Sequence, residues 1–136
     1  MYRSFSGDLD KTVGPLHTIQ SLLNMPLDNK QRTIAVDLDA TLAYYDKWES
    51  PTKIGKPIKP MVDRVKAWLA DGQKVWIFTA RMANTETRGE VEKAIGDWTL
   101  EHIGERLPAT AIKLYSFSEI WDDRARRVKP NAGTEM

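Results

Sequence analysis

The chain has 136 residues, a length typical of a single domain, and its 20 lysines and arginines nearly balance 19 aspartates and glutamates. A net charge of +1 provides no strong attraction for nucleic acid or anionic membranes, and the absence of cysteine excludes disulfides, thiolate zinc sites and a cysteine nucleophile. No uninterrupted apolar run exceeds four residues, whereas a membrane span needs about 20, so we expect a cytoplasmic protein with no membrane partner.

Residues 1–30 differ from the rest of the chain because glycines and prolines interrupt them at short intervals. Only residues 16–23 have helical apolar spacing, and the stripe consists of Leu16, Ile19, Leu22 and Leu23. We therefore predict an N-terminal arm over residues 1–30, formed by a short helix between loops, and one core over residues 31–136.

The core begins with a run of β-forming residues, Thr33 to Val36, which predicts a buried strand. Three prolines interrupt residues 42–60, and this composition predicts an irregular excursion, here called the flap. A helix is predicted from Pro60, since proline suits a first helical turn, to the terminating Gly72. The nearly continuous apolar run at residues 74–78 predicts a second strand.

The second half of the core repeats the alternation of helix and strand. Thr85 is predicted to cap a helix that Gly104 ends, because the apolar residues between them share one face. Two more strands are predicted at residues 109–112 and 119–121, and Arg127-Val128 either begins a fifth strand or lies on a tail. Apolar strands that alternate with amphipathic helices favour a mainly parallel sheet covered on both faces, hence a three-layer α/β sandwich.

Polar side chains follow each of the four main predicted strands. Since the carboxyl ends of parallel strands line the edge of an open α/β sheet where ligands bind, we expect these side chains to meet there. The candidate site residues are Asp37, Asp39, Thr79, Lys113, Asp122 and Asp123. Taken singly, each also fits an ordinary turn, cap or surface position, so the prediction depends on their joint occurrence.

This set of residue types suits phosphoryl transfer. One carboxylate can act as a nucleophile that forms an acyl phosphate, and a neighbouring carboxyl group can protonate the leaving oxygen and later deprotonate water. Acidic residues gathered near a phosphate need a cation, and Mg²⁺ prefers oxygen ligands of this kind. Thr79 can donate a hydrogen bond to a phosphoryl oxygen, and Lys113 can pair with both the phosphate and Asp37.

The flap and two arginines provide candidate substrate-binding residues. Tyr45 and Trp48, with Tyr44 and several lysines beside them, could stack on a ring and attract phosphate. The alternative is that these aromatic residues pack the flap onto the core. Arg81 and Arg124 lie one or two residues beyond site positions, where each could contact phosphate or pair with a site carboxylate.

The segment Asp37-Leu38-Asp39-Ala40-Thr41 resembles the first motif, Asp-x-Asp-x-Thr, of the haloacid dehalogenase superfamily. Thr79, Lys113 and the pair Asp122-Asp123 resemble the second, third and fourth motifs, and the match covers residues 32–130. The resemblance implies a Rossmann-like fold in which Thr79 and Lys113 orient the phosphate and the phosphoaspartate.

The same resemblance assigns roles to the acidic residues. It implies that Asp37 is the nucleophile and Asp39 the general acid/base. It also implies that Mg²⁺ binds Asp37, the backbone carbonyl of Asp39 and Asp122, with Asp123 in the same acidic cluster. Ala40 departs from the glycine that the family often has, and a tight turn there is less permissive for alanine.

The intervals between the motifs leave no room for a separate cap domain, so the resemblance implies an open, capless site. We predict a Mg²⁺-dependent phosphomonoester hydrolase whose substrate is a nucleotide, a nucleic-acid end or another phosphorylated metabolite. One alternative is a receiver-like phosphate-signalling module, which is disfavoured because its acidic pair comes first in the chain and here it comes last. Another is a catalytically incomplete domain that binds a partner. A homo-oligomer stays open, since five tryptophans are available for an interface.

Overall fold

A computed structural model describes residues 31–136, so the predicted N-terminal arm lies outside the described residues. In chain order the elements are β1 (Thr33–Val36), α1 (Lys59–Ala70), β2 (Lys74–Phe78), a 3-10 helix (Ala80–Ala83), α2 (Arg88–His102), β3 (Ala109–Thr110) and β4 (Glu119–Trp121). The four strands are parallel and lie in the order β3-β2-β1-β4, which confirms the predicted parallel α/β sheet. Within this described part, neither α-helix is long and apolar enough to cross a membrane.

Apolar side chains on one face of the sheet form the core. Ile34 and Val36 of β1 and Ile77 of β2 are fully buried. Val65 of α1 and Ile95 of α2 pack in the same cluster. Because successive strand residues point to opposite faces, a core shared in this way places both helices on the same face of the sheet.

The order of the strands explains this placement. The connections β1-α1-β2 and β2-α2-β3 run in the same direction across the sheet, and right-handed crossovers then put both helices on one side. The return to β4 uses residues 111–118, which form no helix. On the other face, the Phe117 ring packs 6.4 Å from Trp76 and 5.6 Å from Phe78 between centroids. Within residues 31–136, helices therefore cover one face of the sheet, whereas the sequence predicted that both faces are covered.

Proline and glycine set the boundaries of α1. Pro60 lies in its first turn, where the missing backbone N–H leaves no helical bond unmade, and the helix begins at Lys59, inside the last residues predicted for the flap. After the helix, Gly72 adopts φ 86° and donates its N–H to the Leu69 carbonyl at 3.1 Å. The predicted helix from Pro60 to Gly72 is thus confirmed.

The start of α2 differs from the prediction, since Thr85 does not cap it. The helix begins at Arg88, with Thr87 at the cap position and no side-chain cap bond. Residues 80–83 form the 3-10 helix, and Asn84 Oδ1 then accepts a backbone N–H two residues further on at 2.9 Å. Residues 80–86 form these two turns, so the helix cannot begin before them.

One predicted strand is shorter in the structure, and of the two alternatives for Arg127-Val128 the structure shows no fifth strand. β3 ends at Thr110, because the Thr110 hydroxyl accepts the N–H of Ile112 at 3.0 Å and turns the chain out of the ladder. Arg127-Val128 begins no strand, and Val128 makes only an isolated bridge to Glu135. The short return between β3 and β4 is therefore an irregular segment, and the sheet has four strands in the described residues.

Candidate active site

Strands β1 and β4 bring predicted carboxylates to the same edge of the sheet. Val36 pairs with Trp121 in the parallel ladder, and the N–H of Asp37 donates to the Trp121 carbonyl at 2.9 Å. Asp37 and Asp122 therefore leave neighbouring strands side by side. One carboxylate oxygen from each of Asp37, Asp122 and Asp123 lies within 4.8 Å of the other two. The structure thus brings these three predicted site residues together.

The acidic cluster of Asp37, Asp122 and Asp123 lies where the chain changes direction across the sheet. From β1 the chain passes first to β2, and later it returns to β4 on the other side of β1. In open α/β sheets this change leaves a crevice outside the carboxyl ends of the strands, where ligands bind. The topology alone therefore makes this position a candidate ligand site.

Thr41 joins two members of the acidic cluster. Its Oγ1 lies 3.2 Å from Asp37 Oδ2 and 3.0 Å from Asp123 Oδ1, and it accepts the backbone N–H of Asp123 at 3.0 Å. A hydroxyl has one hydrogen, so Thr41 can donate to only one of the two carboxylates at a time. No role for Thr41 is predicted from the sequence, although its place in the Asp-x-Asp-x-Thr motif was the available signal.

The carboxyl group of Asp37 has an unusual affinity for a proton. Burial raises the pKa of Asp37 from its ordinary value of 3.8 to about 7, and the negative charge of Asp122 and a hydrogen bond with Asp123 act in the same direction. The hydrogen bond from Thr41 lowers this pKa and offsets part of the rise. Carboxylates this close repel one another unless a proton or a cation lies between them. Mg²⁺ fits the cluster, because all three candidate ligands are carboxylate oxygens.

Asp39 has a different partner from Asp37, although only one residue separates them. Both of its oxygens accept hydrogen bonds from Arg81: Oδ2 from Nε at 2.9 Å, and Oδ1 from Nη2 at 3.0 Å. A two-point contact of this kind determines the orientation of the carboxylate as well as its position. The Asp39 carboxylate is therefore outside the acidic cluster, and only its backbone carbonyl remains for the predicted role as a metal ligand.

A tight turn after β1 separates the two carboxylates. The Leu38 carbonyl accepts the N–H groups of Leu42 and Ala43, each at 2.9 Å, and the N–H of Ala40 donates to the Ala43 carbonyl at 2.8 Å. Ala40 adopts φ 70°, in the left-handed region. That conformation costs an alanine roughly 1–2 kcal/mol, which glycine would avoid. Alanine nevertheless adopts the turn for which it was expected to be less suited.

Arg81 connects Asp39 to the flap. Its side chain is 4% exposed, and Nη1 donates to the backbone carbonyls of Ser50 at 3.1 Å and Pro51 at 2.7 Å. The Trp48 ring lies against the same guanidinium, with 5.0 Å between Cζ and the ring centroid. Of the two roles considered for Arg81, the structure shows pairing with a site carboxylate.

The side chains of three other predicted residues form no hydrogen bond or ion pair with the acidic cluster within residues 31–136. Thr79 is buried and its hydroxyl accepts the N–H of Arg81 at 3.2 Å, which caps the 3-10 helix. Lys113 is exposed and forms no ion pair in this part of the chain. Arg124 reaches the cluster through its backbone only, since its N–H donates to Asp122 Oδ1 at 2.8 Å.

The flap is attached to the core at several points. An antiparallel bridge between Ala43 and Pro57 closes its base. The indole Nε1 of Trp98, on α2, donates to the Gly55 carbonyl at 2.8 Å. A Cβ atom at Gly55 would lie 1.9 Å from the Tyr44 carbonyl oxygen, so only glycine fits this close approach. The backbone of the flap is therefore held in a defined position beside the site.

A cleft of about 340 Å³, here called the flap cleft, lies between the flap and Arg81. Its walls include two aromatic side chains that remain accessible, Tyr44 at 55% exposed and Tyr45 at 39%. Charged residues of both signs also line it: Lys47, Lys53, Lys56, Asp46 and Glu49. Trp48 packs on Arg81, while the two tyrosines line the cleft. Contact of the flap aromatics with a substrate ring stays a prediction.

Comparison with known proteins adds no relative, since no family model, curated protein or solved structure matches the chain. An acidic cluster that can hold a cation adjoins a carboxylate oriented by a buried arginine and a cleft with accessible rings. Such groups can bind an anion together with a metal ion, attack it with Asp37 and exchange protons through Asp39.

Proposed function

We propose that the protein is a Mg²⁺-dependent phosphomonoester hydrolase of the haloacid dehalogenase type, with an open, capless site. The observation that carries the proposal is the acidic cluster, in which the carboxylate oxygens of Asp37, Asp122 and Asp123 lie within 4.8 Å of one another at the ends of β1 and β4. The likeness of residues 37–41 to the first motif of that superfamily supports it.

The reaction takes place in two steps. First, a carboxylate oxygen of Asp37 attacks phosphorus, the bond from phosphorus to the leaving oxygen breaks, and Asp39 gives that oxygen a proton. Second, Asp39 takes a proton from water, the water oxygen attacks phosphorus, and the bond to Asp37 breaks to release phosphate. Mg²⁺ held by Asp37, Asp122 and Asp123 would supply the positive charge that offsets repulsion between phosphate and carboxylates.

Arg81 acts as a positioning residue for the proton transfers. One Asp39 oxygen exchanges its Arg81 bond for the leaving oxygen or the water, while the other oxygen keeps its bond to the guanidinium. The Asp39 side chain is 23% exposed and oriented by Arg81, so its carboxyl group can reach the leaving oxygen or the water with little reorientation. Thr79 accepts an N–H and still has a hydroxyl hydrogen to donate to a phosphoryl oxygen.

The position of Lys113 favours a second candidate function. In residues 31–136 its exposed side chain forms no ion pair. In a complete catalytic site, Lys113 would instead be paired with a carboxylate of the acidic cluster. The second candidate is therefore a partner-binding domain whose catalytic site is incomplete in the isolated chain. It predicts binding of Mg²⁺ without turnover, which separates it from the first candidate.

A phosphoryl-trapping experiment tests the proposed function. An aryl phosphate is a suitable substrate, because its leaving oxygen needs little protonation and the first step then proceeds without Asp39. With Mg²⁺, Asp39→Asn is expected to accumulate one phosphoryl group, detected by intact mass, because water activation is lost. Asp37→Asn is expected to take up none and to release no phosphate. Wild-type protein is expected to release phosphate with Mg²⁺ and not with EDTA.

Each result has a definite meaning. Normal phosphate release by purified Asp37→Asn would show that another group is the nucleophile. Release by wild-type protein that EDTA does not reduce would contradict the metal requirement. Absence of both turnover and a phosphoprotein, in a protein that still binds Mg²⁺, would favour the incomplete domain. Asp63→Asn serves as a matched control, since Asp63 pairs only with exposed Lys59 on α1.

A further inference from the structure

We propose that the flap cleft is the leaving-group subsite and that it takes a nucleoside, so that the substrate is a nucleoside monophosphate. This inference rests on the proposed hydrolase function and deepens it by naming the substrate class. It uses residues that the reaction steps do not use, namely Tyr44, Tyr45 and the lysines of the flap.

The direction of the reaction places the leaving group in this cleft. The leaving oxygen receives its proton from Asp39, so the group attached to that oxygen lies on the Asp39 side of the phosphate. Arg81 contacts both oxygens of Asp39 and is itself a wall of the cleft. Arg81 thus borders both the proton donor Asp39 and the cleft. In this arrangement the acidic cluster binds the phosphoryl end and the cleft takes the group beyond Arg81.

The walls of the cleft suit a flat aromatic group. Tyr44 and Tyr45 are 55% and 39% exposed, so their rings are accessible at the wall of the cleft. The backbone at Tyr44 is held, since its N–H donates to the Lys56 carbonyl at 2.8 Å and the carbonyl of the adjacent Gly55 accepts the Trp98 indole N–H at 2.8 Å. Stacking on a nucleobase therefore requires ordering of the tyrosine side chains and not of the backbone at Tyr44.

The size and charge of the cleft narrow the class of ligand. About 340 Å³ is near the lower limit of small-molecule sites, which are roughly 300–1,000 Å³, so the cleft has room for one nucleoside. Three lysines line it against two acidic residues, and one of these, Glu49, lies 4.0 Å from Lys53. This excess of positive charge attracts a substrate that carries a dianionic phosphate.

A comparison of two substrates tests the inference. Nucleoside 5′-monophosphates and ribose 5-phosphate have the same phosphate linkage and differ in the base. For wild-type protein with Mg²⁺, kcat/KM is expected to be at least about 10-fold higher for the nucleotide, a usual effect of stacking one base. Tyr45→Ala and Tyr44→Ala are each expected to reduce this ratio severalfold, and Tyr45→Phe to retain it, because stacking needs the ring and not the hydroxyl.

A matched control and a binding measurement complete the test. Tyr115→Ala removes a tyrosine that is fully exposed and outside the cleft, and it is expected to leave the ratio unchanged. Equilibrium dialysis with a free nucleoside measures the subsite without turnover, and binding is expected for wild-type protein and for Asp37→Asn but not for the double variant Tyr44→Ala/Tyr45→Ala.

The two proposals can fail separately. If ribose 5-phosphate is hydrolysed as fast as the nucleotide, or if the tyrosine variants keep the wild-type ratio, the subsite assignment is overturned and the hydrolase function stands. If neither compound is hydrolysed with Mg²⁺ while the nucleoside still binds through the tyrosines, the hydrolase function is overturned and the cleft remains a nucleoside site. If no nucleoside binds, the subsite assignment is overturned whatever the kinetics show.

Discussion

Replacing Asp37 by asparagine is expected to stabilise the fold when no metal ion is present. In the metal-free protein Asp37 must be deprotonated next to Asp122 and Asp123, and burial together with these charges opposes its ionisation. Asparagine has nearly the same shape, can still accept the hydrogen bond from Thr41, and can donate its amide N–H to Asp123. The variant therefore removes the repulsion without leaving a cavity.

The size of the effect follows from the pKa of Asp37. The rise from 3.8 to about 7 corresponds to roughly 4 kcal/mol at 1.36 kcal/mol per unit. Since Asp37 is only partly buried, we discount this to about 2 kcal/mol. A carboxyl group whose pKa is raised by folding stabilises the protein below its unfolded pKa, and that contribution is lost as pH rises through the folded value. The wild-type protein in EDTA is thus expected to lose stability between about pH 4 and pH 7.

Thermal unfolding followed by circular dichroism measures this effect. In EDTA at pH 8, Asp37→Asn is expected to melt roughly 8 °C above wild type, taking about 4 °C per kcal/mol for a chain of this length. At pH 4 the two proteins are expected to melt within a few degrees of each other. Mg²⁺ is expected to raise the melting temperature of the wild type and to have much less effect on the variant, which lacks one ligand. Asp63→Asn, on the exposed face of α1, controls for the loss of one surface charge.

This prediction is wrong if Asp37→Asn melts at or below the wild-type temperature at pH 8 in EDTA. That result would mean that the acidic cluster carries no net repulsion in the folded protein. It also fails if the difference between the two proteins is the same at pH 4 and pH 8, because the destabilisation is then unrelated to the ionisation of Asp37.

Three further changes test the surroundings of the site. Ala40→Gly is expected to raise the free energy of unfolding by about 0.5 kcal/mol, since relief of the left-handed strain exceeds the added entropy of the unfolded chain; a lower urea midpoint would contradict this. Arg81→Gln breaks a buried two-point ion pair with Asp39 and is expected to cost about 3 kcal/mol and to speed amide exchange in the flap; unchanged exchange would show that the flap is held by other contacts. Trp98→Phe removes the indole N–H that donates to the Gly55 carbonyl, with an expected cost of about 1 kcal/mol in urea unfolding.

The strands and the acidic edge of the sheet could be predicted from the sequence. Three apolar runs, at residues 33–36, 74–78 and 119–121, coincide with observed strands, because strands of a buried parallel sheet are apolar almost throughout. Polar residues directly after such runs mark the carboxyl ends of the strands, and Asp37 meets Asp122 because their strands are neighbours in the sheet. The start of α2 did not follow, because two consecutive turns could satisfy the same backbone groups as a longer helix.

The sequence by itself determined which residues are buried and which polar residues follow each strand, since both depend on the periodicity of neighbouring side chains. Only the tertiary structure decided how the polar groups are paired. Arg81 lies 42 residues from Asp39, and Thr41 lies 82 residues from Asp123. These contacts depend on the register of the strands and on the turn at Ala40. Both are set by residues far apart in the chain and not by the sequence next to each polar group. The assignment of both helices to one face has the same origin, because strand order comes from the whole chain and not from any local segment.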